Sequence, residues 1–204
     1  MLRGTTSAPT SPGEANMTLT TIDSTSALIV IDLQQGIVSA QSDPAVTDVV
    51  EQATQLTAEF RRHNLPVVLV NVTGRAPGRT EAGRPGGLGA LPPGWADLID
   101  ELDVQPTDHL ITKRRRSAFH DTGLDTLLRD LGVTQIVLAG ISTSAGVEST
   151  ARSGADYGYH VVLATDAMLD PDADSHRHSI DRVFPKLGET ATTAEVIGMV
   201  GATR

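Results

Sequence analysis

The chain of 204 residues contains no cysteine. This absence excludes disulfide bonds, thiolate metal sites and a thiol nucleophile, although it says little about the redox compartment. Aromatic residues make up only 3% of the chain, so the core must be built from valine, leucine, isoleucine and alanine. Such a core suits a buried parallel sheet that is covered by helices.

Positive charge and long apolar runs are also scarce. The net charge of −9 and the pI near 5.0 argue against a nucleic-acid partner, which would require a basic face. No apolar run approaches the roughly 20 residues of a membrane-spanning helix, and the N-terminus lacks the apolar region of a secretory signal. We therefore expect a cytoplasmic protein that binds a small-molecule substrate and has no nucleic-acid or membrane partner.

The spacing of apolar residues predicts one domain at residues 21–204, preceded by a disordered tail at 1–20 that is rich in serine, threonine, proline and glycine. Strands are predicted at 27–32, 66–72, 108–112, 134–140 and 160–164, and helices at 44–63, 123–131, 145–157, 173–184 and 192–199. This alternation predicts an α/β fold with three layers (α-β-α) around a central, mainly parallel, Rossmann-like sheet. Residues 73–94, rich in glycine and proline, predict a long loop that is a functional lid or a disordered excursion.

Asp32 ends the first predicted strand, in Ile-Val-Ile-Asp-Leu-Gln-Gln-Gly at 29–36. Open α/β sheets bind ligands at the carboxyl ends of their strands, and burial raises the pKa of a carboxyl group so that it can hold or exchange a proton. A capping or turn aspartate is an equally good interpretation of this residue taken alone. We also take Gln34, two residues later, as a candidate substrate-binding residue.

Lys113 follows another short predicted strand and is one of two lysines, against fourteen arginines. A lysine beside a buried aspartate keeps the carboxylate charged until substrate arrives, and then orients water or polarises the substrate. The alternative is an ordinary surface lysine in a basic run. Three arginines follow it, and they cannot all face one way. Arg116 is our candidate for contacting an anionic substrate, and Phe119 is a further candidate contact.

The run from Gly140 to Gly146 joins a predicted strand to a predicted helix. Its small residues let a ligand approach the backbone closely, and the first N–H groups of a helix attract an anion. An ordinary strand-to-helix junction has the same composition. We take Ser142 and Thr143 as candidate substrate-binding residues.

Together and in this order, the three segments resemble the signatures of the isochorismatase-like hydrolases. The matching stretches are Asp-Leu-Gln-Gln-Gly at 32–36, Lys113 followed by Ser-Ala-Phe at 117–119, and the small-residue run that ends at Gly146. The resemblance covers about residues 24–200. It implies the isochorismatase-like hydrolase fold, a homodimer or homotetramer, and a catalytic triad at Asp32, Lys113 and Gly146, where many members have a nucleophilic cysteine at the third position.

The resemblance also implies a cis peptide bond between Ile141 and Ser142, and an oxyanion hole formed by the backbone N–H groups of Ser142 and Gly146. No metal or other cofactor is implied, because residues 71–80 contain none of the histidines that the nicotinamidase branch carries near its second strand. His176 and His178 are poor candidates for a metal site, since helical residues two positions apart face apart.

Glycine at position 146 cannot act as a nucleophile. True isochorismatases also lack the thiol, and the resemblance implies that aspartate protonates a vinyl ether before water attacks; we expect the missing side chain to leave space for that water. The predicted function is a metal-free, cysteine-independent hydrolase of a small metabolite, anionic if Arg116 contacts it, with Asp32 as general acid/base. Two alternatives stay open: a non-catalytic binding protein that retains the pocket, and an amide or ester hydrolase using direct attack by water.

Overall fold

A computed structural model describes residues 19–74, 78–81 and 91–202. Its strands are β1 (Ser26–Ile31), β2 (Val67–Val72), β3 (His109–Lys113), β4 (Gln135–Ile141), β5 (His160–Leu169) and β6 (Glu189–Ala191). Its α-helices are α1 (Gln35–Val38), α2 (Ala45–Arg62), α3 (Leu124–Asp130), α4 (Glu148–Asp156), α5 (Ala173–His178) and α6 (Thr193–Ala202). The six strands form one sheet in the order β3-β2-β1-β4-β5-β6, and every neighbouring pair is parallel.

The sheet is buried on both faces, which confirms the predicted three-layer α-β-α architecture. Successive residues of a strand point to opposite faces. In β1, Leu28 and Val30 therefore join one apolar cluster, together with residues of α2 and α6. Ile29 and Ile31 join a second cluster, with residues of α3 and α4. All residues of β1 and β4 are buried, as expected of strands that read as unbroken apolar runs.

The sheet order places a crevice between the carboxyl ends of β1 and β4. The chain builds β1, β2 and β3 outward to one edge and then returns to place β4 on the other side of β1. Open α/β sheets bind their ligands at such a point, where the strand order reverses. The topology thus brings Asp32, which follows β1, next to the small-residue run that follows β4.

Several elements differ from the sequence-based prediction. The short helix α1 and the short edge strand β6 were not predicted, because a few residues cannot display a periodic pattern. The predicted helix at 145–157 begins instead with a π-helical segment, Thr143–Val147, which leads into α4. The predicted helix at 173–184 divides into α5, a second π-helical segment and a 3₁₀ turn (Phe184–Lys186) that contains Pro185, a residue that disfavours a continuing helix.

Two residues at the end of the predicted tail, Leu19 and Thr20, pack on the domain. Leu19 is buried, and the Thr20 backbone N–H and hydroxyl both donate hydrogen bonds to the carboxylate of Glu189. The rest of the predicted tail, residues 1–18, and two parts of the predicted loop, 75–77 and 82–90, lie outside the described residues. In the part of the chain that is described, no helix is long and apolar enough to cross a membrane.

Candidate active site

Asp32 and Lys113 form a buried ion pair at the carboxyl edge of the sheet. The Lys113 Nζ atom donates a hydrogen bond of 2.7 Å to Asp32 Oδ2, and the two side chains are 2% and 6% exposed. Asp32 directly follows β1, whereas Lys113 ends β3, two strands away. Neighbouring strands lie about 4.8 Å apart, so the lysine side chain must extend over the end of β2. The predicted pairing of these residues is confirmed.

The two carboxylate oxygens of Asp32 have different surroundings. Oδ2 accepts the hydrogen bond from Lys113, while Oδ1 is buried and has no hydrogen-bond partner among the described residues. Burial raises the pKa of Asp32 to about 6, although the charge and the hydrogen bond of Lys113 lower it. A buried acceptor without a partner costs about 1–3 kcal/mol. Binding a proton, or accepting a hydrogen bond from water or a substrate, would therefore stabilise Oδ1.

Gly146 lies directly against the ion pair. A Cβ atom built on it would be 2.9 Å from Ile31 Cγ2, 3.2 Å from Asp32 Oδ2 and 3.5 Å from Lys113 Nζ. The expectation that the missing side chain leaves space for water is therefore wrong at the Cβ position, because neighbouring side chains already fill it. Glycine instead allows the carboxylate and the ammonium group to approach the backbone of the π-helical segment.

The peptide bond between Ile141 and Ser142 is cis, as predicted. It connects β4 to the π-helical segment. The preceding residue, Gly140, has a φ of 117°, and a Cβ atom there would be 2.0 Å from Ile31 O. Only glycine allows β1 and β4 to approach so closely at this point. The oxyanion hole formed by the N–H groups of Ser142 and Gly146 stays a prediction.

Two contacts that the sequence analysis missed hold the start of the π-helical segment. Thr143, which is fully buried, has its Oγ1 atom 2.9 Å from His176 Nδ1. Ser144 donates two hydrogen bonds of 2.7 Å, from its N–H and its hydroxyl, to Asp170 Oδ2. Asp170 directly follows β5, so the rule that identified Asp32 at the end of a strand could have found it. Burial lowers the pKa of His176, whereas the charge of Asp170 raises it.

Gln34 contacts the protein's own backbone. Its Oε1 atom accepts from Val72 N at 2.8 Å, and its Nε2 atom donates to Val72 O and Trp95 O, each at 3.2 Å. Gly36 is needed for the same packing, since a Cβ atom there would be 2.0 Å from Trp95 Cδ1. Both polar atoms of the predicted substrate-binding amide are thus already engaged. The residue joins the end of β2 to the segment around Trp95.

The remaining predicted contacts lie apart from the ion pair. Phe119 is buried and packs on Tyr157 and Tyr159, with ring centroids 5.3 and 5.9 Å away, so it belongs to the core rather than to an open site. Arg116 is exposed, in the loop after β3. The described residues contain no group of three or more histidine, aspartate or glutamate side chains that could hold a metal ion.

The chain is similar to known proteins in both sequence and structure. The family model described as Isochorismatase domain matches residues 26–195. The isochorismatase family protein YwoC of Bacillus subtilis is 39% identical over 179 residues, which cover 85% of this chain and 93% of the relative. The ureidoacrylate amidohydrolase RutB of Pseudomonas savastanoi is 31% identical over 177 residues, with 72% of each chain covered.

Among solved structures, an isochorismatase family protein from Burkholderia thailandensis superposes with a TM-score of 0.83 at 37% identity, covering 89% of this chain and 98% of the other. The family match spans all three parts of the site, from Asp32 through Lys113 to Gly146. The chain therefore belongs to the isochorismatase family of hydrolases.

Proposed function

We propose that this protein hydrolyses a small metabolite with Asp32 as general acid/base and water as the nucleophile, without a metal ion or a thiol. The observation that carries the proposal is the pair of unlike oxygens on Asp32, one held by Lys113 and one buried without a described partner. A carboxyl group with a pKa of about 6 populates both protonation states near neutral pH. Such a group can give a proton in one step and take one in the next.

The first candidate reaction is enol-ether hydrolysis. The protonated Asp32 carboxyl gives its proton to the enol-ether carbon, and water adds to the resulting oxocarbenium carbon. The carboxylate takes a proton from that water, and the hemiketal divides into a carbonyl compound and an alcohol. Lys113 stabilises the carboxylate between these two proton transfers, since its charge favours the ionised form.

The second candidate is amide hydrolysis, which is favoured by the similarity to a ureidoacrylate amidohydrolase. Here the ionised Asp32 takes a proton from the water that attacks the amide carbonyl, and then passes that proton to the departing nitrogen. The predicted N–H groups of Ser142 and Gly146 would stabilise the charge that develops on the carbonyl oxygen. Both reactions use the same residues but begin from opposite protonation states of Asp32.

The pH dependence of kcat/KM distinguishes the two reactions. If Asp32 begins as an acid, kcat/KM falls about tenfold per pH unit above its pKa, which lies at about 6. If it begins as a base, kcat/KM falls by the same factor per unit below that pKa. The screen should contain enol ethers and small amides, both with and without an anionic group, at several pH values between about 5 and 8.

Substitution of Asp32 tests the proposal itself. We expect Asp32→Asn to reduce turnover by about 100-fold or more, the usual size of an acid–base contribution. Asp103→Asn is a matched control, because Asp103 is exposed and also has a positive φ, 44° against 54° for Asp32. Equal turnover by wild type and Asp32→Asn would contradict the proposal. Substrate binding without any turnover would favour a non-catalytic binding protein.

A further inference from the structure

A cavity of about 450 Å³ lies between the loop after β3 and the exposed side of α4. None of its lining residues belongs to the buried cluster of Asp32, Lys113 and Gly146. The loop contributes Arg115, Arg116, Ser117 and His120, and the helix contributes Arg152 and Ser153 among others. The cavity is thus built on the two segments that also carry the lysine and the glycine of the proposed active site.

The charge of this cavity is opposite to that of the protein. The chain has a net charge of −9, yet three arginines and a histidine converge here, with no aspartate or glutamate in the lining. Arg152 pairs with Glu148 at 3.0 Å, and His120 lies 3.2 Å from Asp121.

Arg115 and Arg116 form no ion pair with any carboxylate in the described part of the chain, so two guanidinium groups face the cavity without a counter-charge. An anion in the cavity would relieve their mutual repulsion.

Hydrogen bonds fix the cavity relative to Gly146. The Ser117 hydroxyl donates to Ser153 Oγ at 2.8 Å, which joins the loop to α4. The buried Thr150 accepts a hydrogen bond from Ala118 N at 3.0 Å and donates one to Gly146 O at 2.7 Å. The arginine-bearing loop is therefore bound to the backbone of the glycine segment.

The cavity lies further along the helical segment than Gly146. Ser149, which also lines the cavity, is three residues after Gly146, and Ser153 is seven residues after it. At about 1.5 Å per helical residue, the cavity extends over roughly 5–10 Å of helix beyond Gly146. A molecule with several bonds between its reacting group and its anionic group would span this interval.

We propose that this cavity binds the carboxylate or phosphate group of a small molecule. Guanidinium groups donate paired hydrogen bonds to either anion. The hydroxyls of Ser117 and Ser153 already donate within the protein, to Ser153 Oγ and Ser149 O, so the arginines are the donors on which the proposal rests. The identification of that molecule with the substrate rests on the proposed function. The hydrolase then acts on compounds with an anionic end that binds here, while their scissile bond lies beside Asp32.

Calorimetric titration of the full chain with inorganic phosphate, and separately with succinate, tests the site. Succinamide, which is neutral, is the control ligand. We expect saturable binding of at least one anion by the wild type. Affinity should fall about tenfold or more in Arg115→Ala/Arg116→Ala, because the variant loses the charged hydrogen-bond donors. Tighter binding of phosphate would identify a phosphate ester as the ligand class, and tighter binding of succinate a carboxylate.

Arg62→Ala/Arg182→Ala is the matched control, because it removes the same charge from exposed positions that do not line the cavity. Its anion affinity should equal that of the wild type within about twofold, the scale of ordinary screening effects. No binding by the wild type, equal binding of succinamide, or equal losses in the two double variants would overturn the proposal.

Asp32→Asn separates this proposal from the proposed function. Asp32 does not line the cavity, so phosphate or succinate affinity should persist in that variant while turnover is lost. When a substrate is known, Arg115→Ala/Arg116→Ala should raise KM by about tenfold or more with a smaller change in kcat. An unchanged KM would contradict the identification of the bound anion with the substrate, whatever Asp32→Asn does to catalysis.

Discussion

Addition of one methyl group at Gly146 tests the packing of the active site. In Gly146→Ala, the new Cβ atom would lie 2.9 Å from Ile31 Cγ2 and 3.2 Å from Asp32 Oδ2. Overpacking of this kind costs about 1–3 kcal/mol. Alanine also restricts the unfolded chain, which stabilises the folded state by about 0.4–1 kcal/mol. This gain applies here because Gly146 does not have a positive φ, so alanine can adopt its backbone conformation. We expect a net loss of about 1–2 kcal/mol in the free energy of unfolding, which corresponds to a fall of roughly 2–8 °C in Tm.

Urea denaturation should be measured together with turnover, because the same methyl group displaces the Asp32 carboxylate from Lys113. Gly198→Ala in α6 is the control, since nothing lies within 4 Å of a Cβ atom there. That substitution should stabilise the protein by up to about 1 kcal/mol. Gly146→Ala should cost less in the Ile31→Ala background, where the clashing Cγ2 atom is absent. A Gly146→Ala variant as stable as Gly198→Ala would refute the packing argument.

Substitutions at three further positions test the surroundings of the site. Lys113→Met leaves the buried Asp32 without its cation, so we expect a loss of about 3–5 kcal/mol near pH 7.5. Because Lys113 lowers the pKa of Asp32, that pKa rises above its present value of about 6 in the variant. Protonation of Asp32 then favours the folded state, so urea denaturation should show greater stability at pH 5 than at pH 7.5. A stability at pH 5 that is equal to or lower than that at pH 7.5 would contradict the assignment. Gln34→Leu should cost about 2–3 kcal/mol in the same assay, because buried backbone groups lose their partners. His176→Ala should lower kcat and reduce the free energy of unfolding by about 1 kcal/mol. If the hydrogen bond to Thr143 positions the π-helical segment, His176→Asn should restore kcat.

The residues of the site could be predicted from the sequence because each of them lies at or just after the carboxyl end of a parallel strand, and these ends share one edge of the sheet. Asp32 follows an unbroken apolar strand, and the end of such a strand is a defined place in a parallel sheet. The same holds for Lys113 at the end of β3 and for the glycine run after β4. Those three positions required only the strand boundaries and the resemblance.

The contacts that were missed or misassigned depend on distances that no pattern encodes. Ile31 fills the space next to Gly146, although a strand residue before an aspartate gives no sign of where its methyl group points. Gln34 is polar and close to the site in sequence, yet its amide satisfies backbone atoms of Val72. His176 contacts Thr143 across 33 positions of sequence, a pairing that only the folded helix α5 makes visible.

The place of β1 in the sheet constrains the order in which the chain can assemble. β1 is the first strand among the described residues, and it pairs with both β2 and β4. β4 begins only at Gln135, about a hundred residues after β1, so a growing chain carries one unpaired edge of this buried, largely apolar strand until β4 is available. Unpaired edges of this kind promote association with other chains. A chaperone that shields the nascent β1–β2 pair would therefore act during the interval before β4 docks.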